Sequence, residues 1–252
     1  VARFETFDGI SLYYEEEGQG TPVVLLHGLS ASIDINWRQP GIWAALVDAG
    51  KRVIGLDARG HGQSDKPHEP EAYAHGAMAR DTGAFLDHLG LEETDLVGYS
   101  MGAVTALRFA GGDRRIRRLV LGGIGGDPAK WSSSEGEARA TRARQWLTGL
   151  EADDPSKIED KVARRARRLF EARHNDLQAI AALLRASRPL AEDITLADVS
   201  APTLVVCGDQ DLTPHKLAAA LPQGQALVVD GDHERVVRNP ELAKAIVNFL
   251  AD

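Results

Sequence analysis

Short apolar runs recur along the first half of the chain: PVVLLHG (22–28), KRVIGLD (51–57), TDLVGYS (94–100) and IRRLVLGG (116–123). Each is too short for a surface helix and is bounded by glycine or polar residues. Strands covered on both faces need this kind of continuous apolarity, so the four runs predict parallel strands. The opening ARFETFDGISLYYEEEG (2–18) alternates instead, and Asp8-Gly9 supplies a tight turn, which predicts an antiparallel hairpin. Helical spacing fills Trp37 to Gly50 and Tyr73 to Leu89, and strand-helix alternation implies crossover units in a parallel sheet. The alternation resumes late, with a strand in APTLVVCGD (201–209), a helix in PHKLAAAL (214–221), a strand in QALVVDGD (225–232) and a closing helix in PELAKAIVNFL (240–250). Its leading proline suits a first helical turn.

Between these two parts, from Asp127 to Asp198, the strand pattern disappears. The segment is rich in Ala, Arg and Glu and reads as helical, with KVARRARRLFEARH (161–174) an amphipathic helix whose inward stripe is predicted as Val162, Ala166, Leu169 and Phe170. The expected organisation is an α/β core formed by 1–126 and 199–252, with 127–198 as a helical cap over the ends of the parallel strands. The 252 residues suffice for one large domain.

Composition narrows the partners. A formal net charge of −8 disfavours a broad basic surface for nucleic acid or anionic membranes, so a small-molecule substrate is expected. The single cysteine, Cys207, has no intramolecular disulfide partner and ends an apolar run, where a buried thiol is expected; no Cys/His spacing suggests a metal site. The N-terminal stretch lacks a basic-then-apolar leader pattern, and no apolar run approaches the roughly 18 residues of a membrane span. The expectation is a cytoplasmic chain.

Candidate chemistry centres on Gly98-Tyr99-Ser100-Met101-Gly102, a G-x-S-x-G pattern at a predicted strand-to-helix turn. Such a turn strains its central residue and crowds positions two residues away, which favours glycine there and projects the serine outward. The amides opening the following helix favour developing negative charge. A serine hydroxyl needs a base, usually a histidine oriented by a carboxylate. Of eight histidines, His233 lies between the last predicted strand and the last helix, at the sheet edge where open α/β folds bind ligands. His27 and His61 suit packing and loop roles, and the other five lie in polar or helical surroundings. Asp209 and Asp211 follow another strand on the same edge, and one of them should orient His233. The backbone amides of Leu29 and Met101 are the candidate oxyanion donors.

Taken together, HGLS (27–30), GLDARGHGQSDKP (55–67), GYSMGA (98–103), VVCGDQDLTP (205–214) and GDHERVVRNP (231–240) make the chain resemble the α/β-hydrolase superfamily from end to end, and more closely its small esterase-like members with a helical cap. The resemblance implies Ser100 as nucleophile, Asp211 as acid and His233 as base, with no cofactor or metal. Asp127, in GGIGGDP, is a reserve acid because some relatives place theirs after the strand that precedes the cap. Asp232 stands where the family commonly has glycine, and a second carboxylate there would raise the His233 pKa or compete for it. Serine at position 100 argues against the haloalkane dehalogenases and epoxide hydrolases of this fold, which use a carboxylate. A carboxylesterase is the implied activity. A carbon–carbon bond hydrolase, a cofactor-free perhydrolase or haloperoxidase, and an aminopeptidase reuse the same triad, and a receptor-like binding protein is the non-catalytic alternative. Trp37, Trp131 and Trp146 are candidate pocket walls, although indoles in helical segments also serve ordinary packing.

Overall fold

The computed structural model describes residues 2–187 and 194–251. Positions 188–193 of the predicted cap segment lie outside the described residues. Eight strands form one sheet: β1 (Ala2–Glu5), β2 (Ser11–Glu17), β3 (Pro22–Leu26), β4 (Arg52–Leu56), β5 (Thr94–Tyr99), β6 (Ile116–Gly122), β7 (Thr203–Gly208) and β8 (Gly224–Val229). Their order is β1-β2-β4-β3-β5-β6-β7-β8. β2 pairs antiparallel with β1 and β4, and every pairing from β4 onward is parallel. The alternating N-terminus thus becomes the hairpin, with Gly9 at φ 82° in its turn, and the continuous apolar runs become the covered interior.

Alternate residues of the parallel strands enter opposite cores, which explains their unbroken apolarity. Val24, Leu26, Leu96, Leu119 and Leu121 join one cluster, with Phe85 and Leu86 of α2 (Ala77–His88), Ala103 and Leu107 of α3 (Met101–Ala110) and Leu217 of α7 (His215–Ala220). Val23, Leu25, Val97, Val120 and Val206 join the other, with Ile42, Trp43 and Leu46 of α1 (Ile42–Asp48) and Leu242, Ile246 and Leu250 of α8 (Pro240–Leu250).

Two predicted helices are shorter than their periodicity suggested. Trp37 lies in a π-helical turn over Asp34–Arg38, and α1 starts only after Pro40-Gly41, where the left-handed glycine (φ 83°) reverses the chain. Likewise His75 (φ 53°) and Gly76 (φ 67°) separate a 3-10 turn at Pro70–Tyr73 from α2.

Between β6 and β7 lie α4 (Ser134–Leu150), α5 (Lys161–Ala172) and α6 (Leu177–Ala186). Leu150, Ala166, Phe170, Ile180 and Leu184 form their shared apolar centre, with Trp146 and Leu29 packed against it. The inward stripe of α5 is Ala163, Ala166 and Phe170, while Val162 is 41% exposed and Leu169 half-buried. The error is one of phase: Asp160 caps the helix through the amides of Val162 and Ala163, which turns Val162 outward in the first turn. Among the described residues no helix is long and apolar enough to cross a membrane.

Arg59 has no exposed surface and lies in a carboxylate clamp, with Nε 2.7 Å from Asp81 Oδ2 and Nη1 2.9 Å from Asp8 Oδ2. It ties the hairpin turn and α2 to the loop after β4. Removing one partner of a buried ion pair leaves the other uncompensated, so Arg59→Ala should lower the unfolding free energy by about 3–5 kcal/mol. Chemical denaturation against the wild-type chain would measure this, and a loss under about 1 kcal/mol would contradict it.

Candidate active site

Ser100 sits between β5 and α3 with φ 52° and ψ −109°. Steric crowding on both sides fixes this strained conformation. A Cβ on Gly98 would stand 2.4 Å from the Gly102 carbonyl oxygen, and one on Gly102 would stand 2.0 Å from the Leu26 carbonyl oxygen. Only glycine fits at either position, and the hydroxyl projects from the strand end as a result.

The three residues expected to act together converge at this edge. Ser100 Oγ lies 3.0 Å from His233 Nε2, and His233 Nδ1 lies 2.7 Å from Asp211 Oδ2. Asp211 stands on the loop after β7 and His233 on the loop after β8, so the sheet order brings the side chains together across β6. Close approach is again required: a Cβ on Gly123 would be 3.0 Å from His233 Cε1. Tyr99, which the sequence did not single out, donates its hydroxyl to the His233 carbonyl at 2.6 Å and fixes the loop from below.

The competing carboxylates are occupied elsewhere. Asp209 Oδ1 accepts from the Gly231 amide at 2.9 Å. Asp232 Oδ1 accepts from the amides of Glu234 and Arg235, closing the turn after the histidine instead of meeting its ring. Asp127 pairs with Lys216 Nζ at 2.6 Å and accepts from the Ala129 amide. Only Asp211 among the four bonds the imidazole.

Electrostatics sort the histidines in the same way. Burial alone would depress the His233 pKa, but the hydrogen bond and charge of Asp211 outweigh it and hold the ring above its ordinary value. Burial depresses His27, and it pushes His61 down to about 3. These two neutral rings are structural: His27 Nε2 accepts from the Ala58 amide at 3.0 Å, and His61 Nε2 accepts from the Ser30 amide at 3.3 Å. Cys207 is a buried thiol raised to about 12 by desolvation, with Sγ donating to the Ile124 carbonyl.

The Leu29 and Met101 amides have no acceptor among the described residues. Gly28 brings its loop against the serine, since a Cβ there would lie 3.4 Å from Ser100 Cβ, and its own amide donates to Asn36 Oδ1 at 2.8 Å. A small cleft opens here, walled by Gly28, Leu29, Asn36, Ser100, Arg173 and His233 among others. None of the three candidate tryptophans is in its wall. Trp37 and Trp131 are 1% and 3% exposed and belong to the two cores beside the sheet, while Trp146 packs edge-on to Phe170 within the helical segment. Each packs into an apolar core, where a large indole buries extensive apolar surface.

Geometry of this kind can move a proton from an alcohol to an imidazole and hold the resulting imidazolium against a carboxylate. The alpha/beta hydrolase fold family matches residues 21–239. The chain belongs to that family. It is 38% identical over 118 residues to the non-heme chloroperoxidase CPO-A1 of Kitasatospora aureofaciens, a match covering 46% of this chain and 41% of the relative. The chain thus aligns with about two fifths of the length of that curated relative. Among solved structures, the enol-lactonase of Burkholderia xenovorans LB400 superposes with a TM-score of 0.71 at 25% identity, covering all of both chains. A thermophilic esterase of Thermogutta terrifontis gives 0.71 at 26% identity, covering 99% of this chain and 98% of its own.

Replacing Asp211 by Asn removes the charge and weakens the hydrogen bond that together are the largest influences raising the His233 pKa, so the ring should titrate at a lower pH than in the wild type. Asp232→Asn should leave it nearly in place. Imidazole NMR titration of the two variants distinguishes them, and equal displacement would mean that Asp211 is not the controlling partner.

Proposed function

We propose that this hydrolase-family chain is a serine carboxylesterase that cleaves small or medium esters through an acyl-enzyme. The observation that carries this reading is the 3.0 Å contact from Ser100 Oγ to His233 Nε2, backed by the 2.7 Å contact from His233 Nδ1 to Asp211. Ser100 Oγ attacks the ester carbonyl carbon while His233 Nε2 takes its proton. The carbonyl oxygen becomes an oxyanion held by the Leu29 and Met101 amides, and Asp211 stabilises the imidazolium. Collapse expels the alcohol, which receives the proton from His233. Water then gives a proton to His233 and attacks the acyl carbon; the second oxyanion collapses, and His233 returns the proton to Ser100 as the acid departs.

A second reading is favoured by the relative named a chloroperoxidase. If hydrogen peroxide replaces water in deacylation, the released product is a peracid able to oxidise halide. Halide oxidation that requires peroxide and a carboxylic acid together, and is lost in Ser100→Ala, would support it.

Hydrolysis of a short-chain aryl ester should fall by at least about 1000-fold in Ser100→Ala with the fold retained. An organophosphonate should add once, at Ser100, as located by peptide mapping. Turnover unchanged in Ser100→Ala would overturn the mechanism.

The base must be neutral to accept the proton, so kcat/KM should fall as pH drops through the His233 pKa. Because that pKa is raised, this acid limb should lie above about pH 6.5, the ordinary histidine value. A limb below that value would contradict the assignment of Asp211 and His233 as a working pair.

A further inference from the structure

The two candidate oxyanion amides are anchored differently. Met101 N–H opens α3 and is fixed by the crowded turn at Ser100. Leu29 N–H belongs to a loop whose next residue, Ser30, is non-glycine at φ 64°, a left-handed conformation that normally costs about 1 kcal/mol or more and persists only where neighbours enforce it. Its backbone amide is held by His61 of the core at 3.3 Å, and its hydroxyl and carbonyl are held from the helical segment between β6 and β7. Arg173 Nη1 donates to Ser30 Oγ at 2.7 Å, and Asn175 Nδ2 donates to the Ser30 carbonyl at 3.3 Å. The intervening His174 is itself left-handed at φ 54°, so the turn after α5 directs both side chains toward one residue. The Leu29 side chain packs into the apolar centre of the same helices.

We infer that Arg173 and Asn175 are positioning residues that hold the Leu29 amide in its oxyanion-binding direction by clamping Ser30. The core holds this short loop through Gly28 N–H to Asn36 and Ser30 N–H to His61, and the helical segment adds the bonds to the Ser30 hydroxyl and carbonyl. Releasing the Ser30 hydroxyl and carbonyl loosens the chain that follows the Leu29 amide, so that this amide is held less firmly toward the oxyanion by the remaining core bonds to the Gly28 carbonyl and the Ser30 amide. Arg173 is held in place on its far side by Glu234 at 2.5 Å and is mostly buried, so its guanidinium reaches Ser30 in a set direction. This inference rests on the serine-hydrolase reading.

Loss of a whole oxyanion donor costs about 100- to 1000-fold, and a loosened one should cost less. Ser30→Ala should lower kcat on an uncharged aryl ester by about 10-fold with KM within about 2-fold, because the clamp acts on the transition state. Arg173→Ala should lower kcat by a similar factor, with any change in KM read separately because Arg173 also walls the cleft. The double variant should be no more than about 2-fold worse than the poorer single one, since both remove the same contact. Affinity for a boronic acid, whose tetrahedral oxygen occupies the oxyanion position, should fall in proportion to kcat. Arg173→Lys, which keeps the charge and one donor, should recover part of kcat, and thermal melting of every variant excludes unfolding as the cause. A raised KM at constant kcat, multiplicative losses in the double variant, or unchanged boronate affinity would each overturn the clamp. If the wild-type chain neither turns over esters nor reacts with an organophosphonate, the hydrolase reading fails and takes the clamp with it. If it does both while the variants behave independently, the clamp alone fails.

Discussion

The close passage of the β5–α3 turn over the end of β3 constrains everything else at the site. With no room for a Cβ on Gly98 or Gly102, the chain turns from strand to helix within one residue, and Ser100 must take the left-handed φ that results. A strand and a helix joined more loosely would leave the hydroxyl free to rotate toward solvent. Here the backbone sets its direction, and the first amide of α3 comes with it. The loops after β7 and β8 then need only reach the same edge, which the sheet order β5-β6-β7-β8 guarantees. Gly123 clears the space over β6 through which His233 passes.

What the sequence made legible follows from this constraint. The apolar runs revealed the strands because burial on two faces demands continuous apolarity, and G-x-S-x-G revealed the turn because only glycine clears it. Placement of Ser100, His233 and Asp211 followed from strand ends. The choice of Asp211 over Asp209, Asp232 and Asp127 came from the family resemblance and not from the pattern of strands, because it depends on which backbone amides each carboxylate meets. That information lies in loop geometry, where hydrogen bonds to Gly231, Glu234, Arg235 and Ala129 commit three of the four elsewhere. The tryptophans failed for a related reason: periodicity shows that an indole faces inward, but not whether inward means a cleft or a core. Arg173 and Asn175 were hidden in a segment that reads as a solvated amphipathic helix, and their target is more than a hundred residues earlier in the chain.

The helical segment therefore touches the chemistry by two routes. Its apolar centre receives the Leu29 side chain, and its polar turn meets Ser30 and brings Arg173 to the cleft wall. Sequence variation in such a segment would ordinarily be read as changing the shape of the substrate pocket. Here the same helices also meet the Gly28-Leu29-Ser30 loop beside Ser100, so under the proposed clamp changes in their packing reach the Leu29 amide through that loop.

The neutral histidines beneath that loop complete the argument. His27 Nε2 and His61 Nε2 each accept a backbone N–H, from Ala58 and Ser30. Protonation would turn each acceptor into a donor facing a donor, in a buried site that also penalises the charge. Burial, with the neighbouring His27 ring, takes His61 down to about 3, while His233, backed by Asp211, rises. The loop carrying Leu29 thus keeps its hydrogen bonds across the pH range in which His233 titrates. Changes of protonation in that range fall on the group that moves the proton and leave the geometry around it intact.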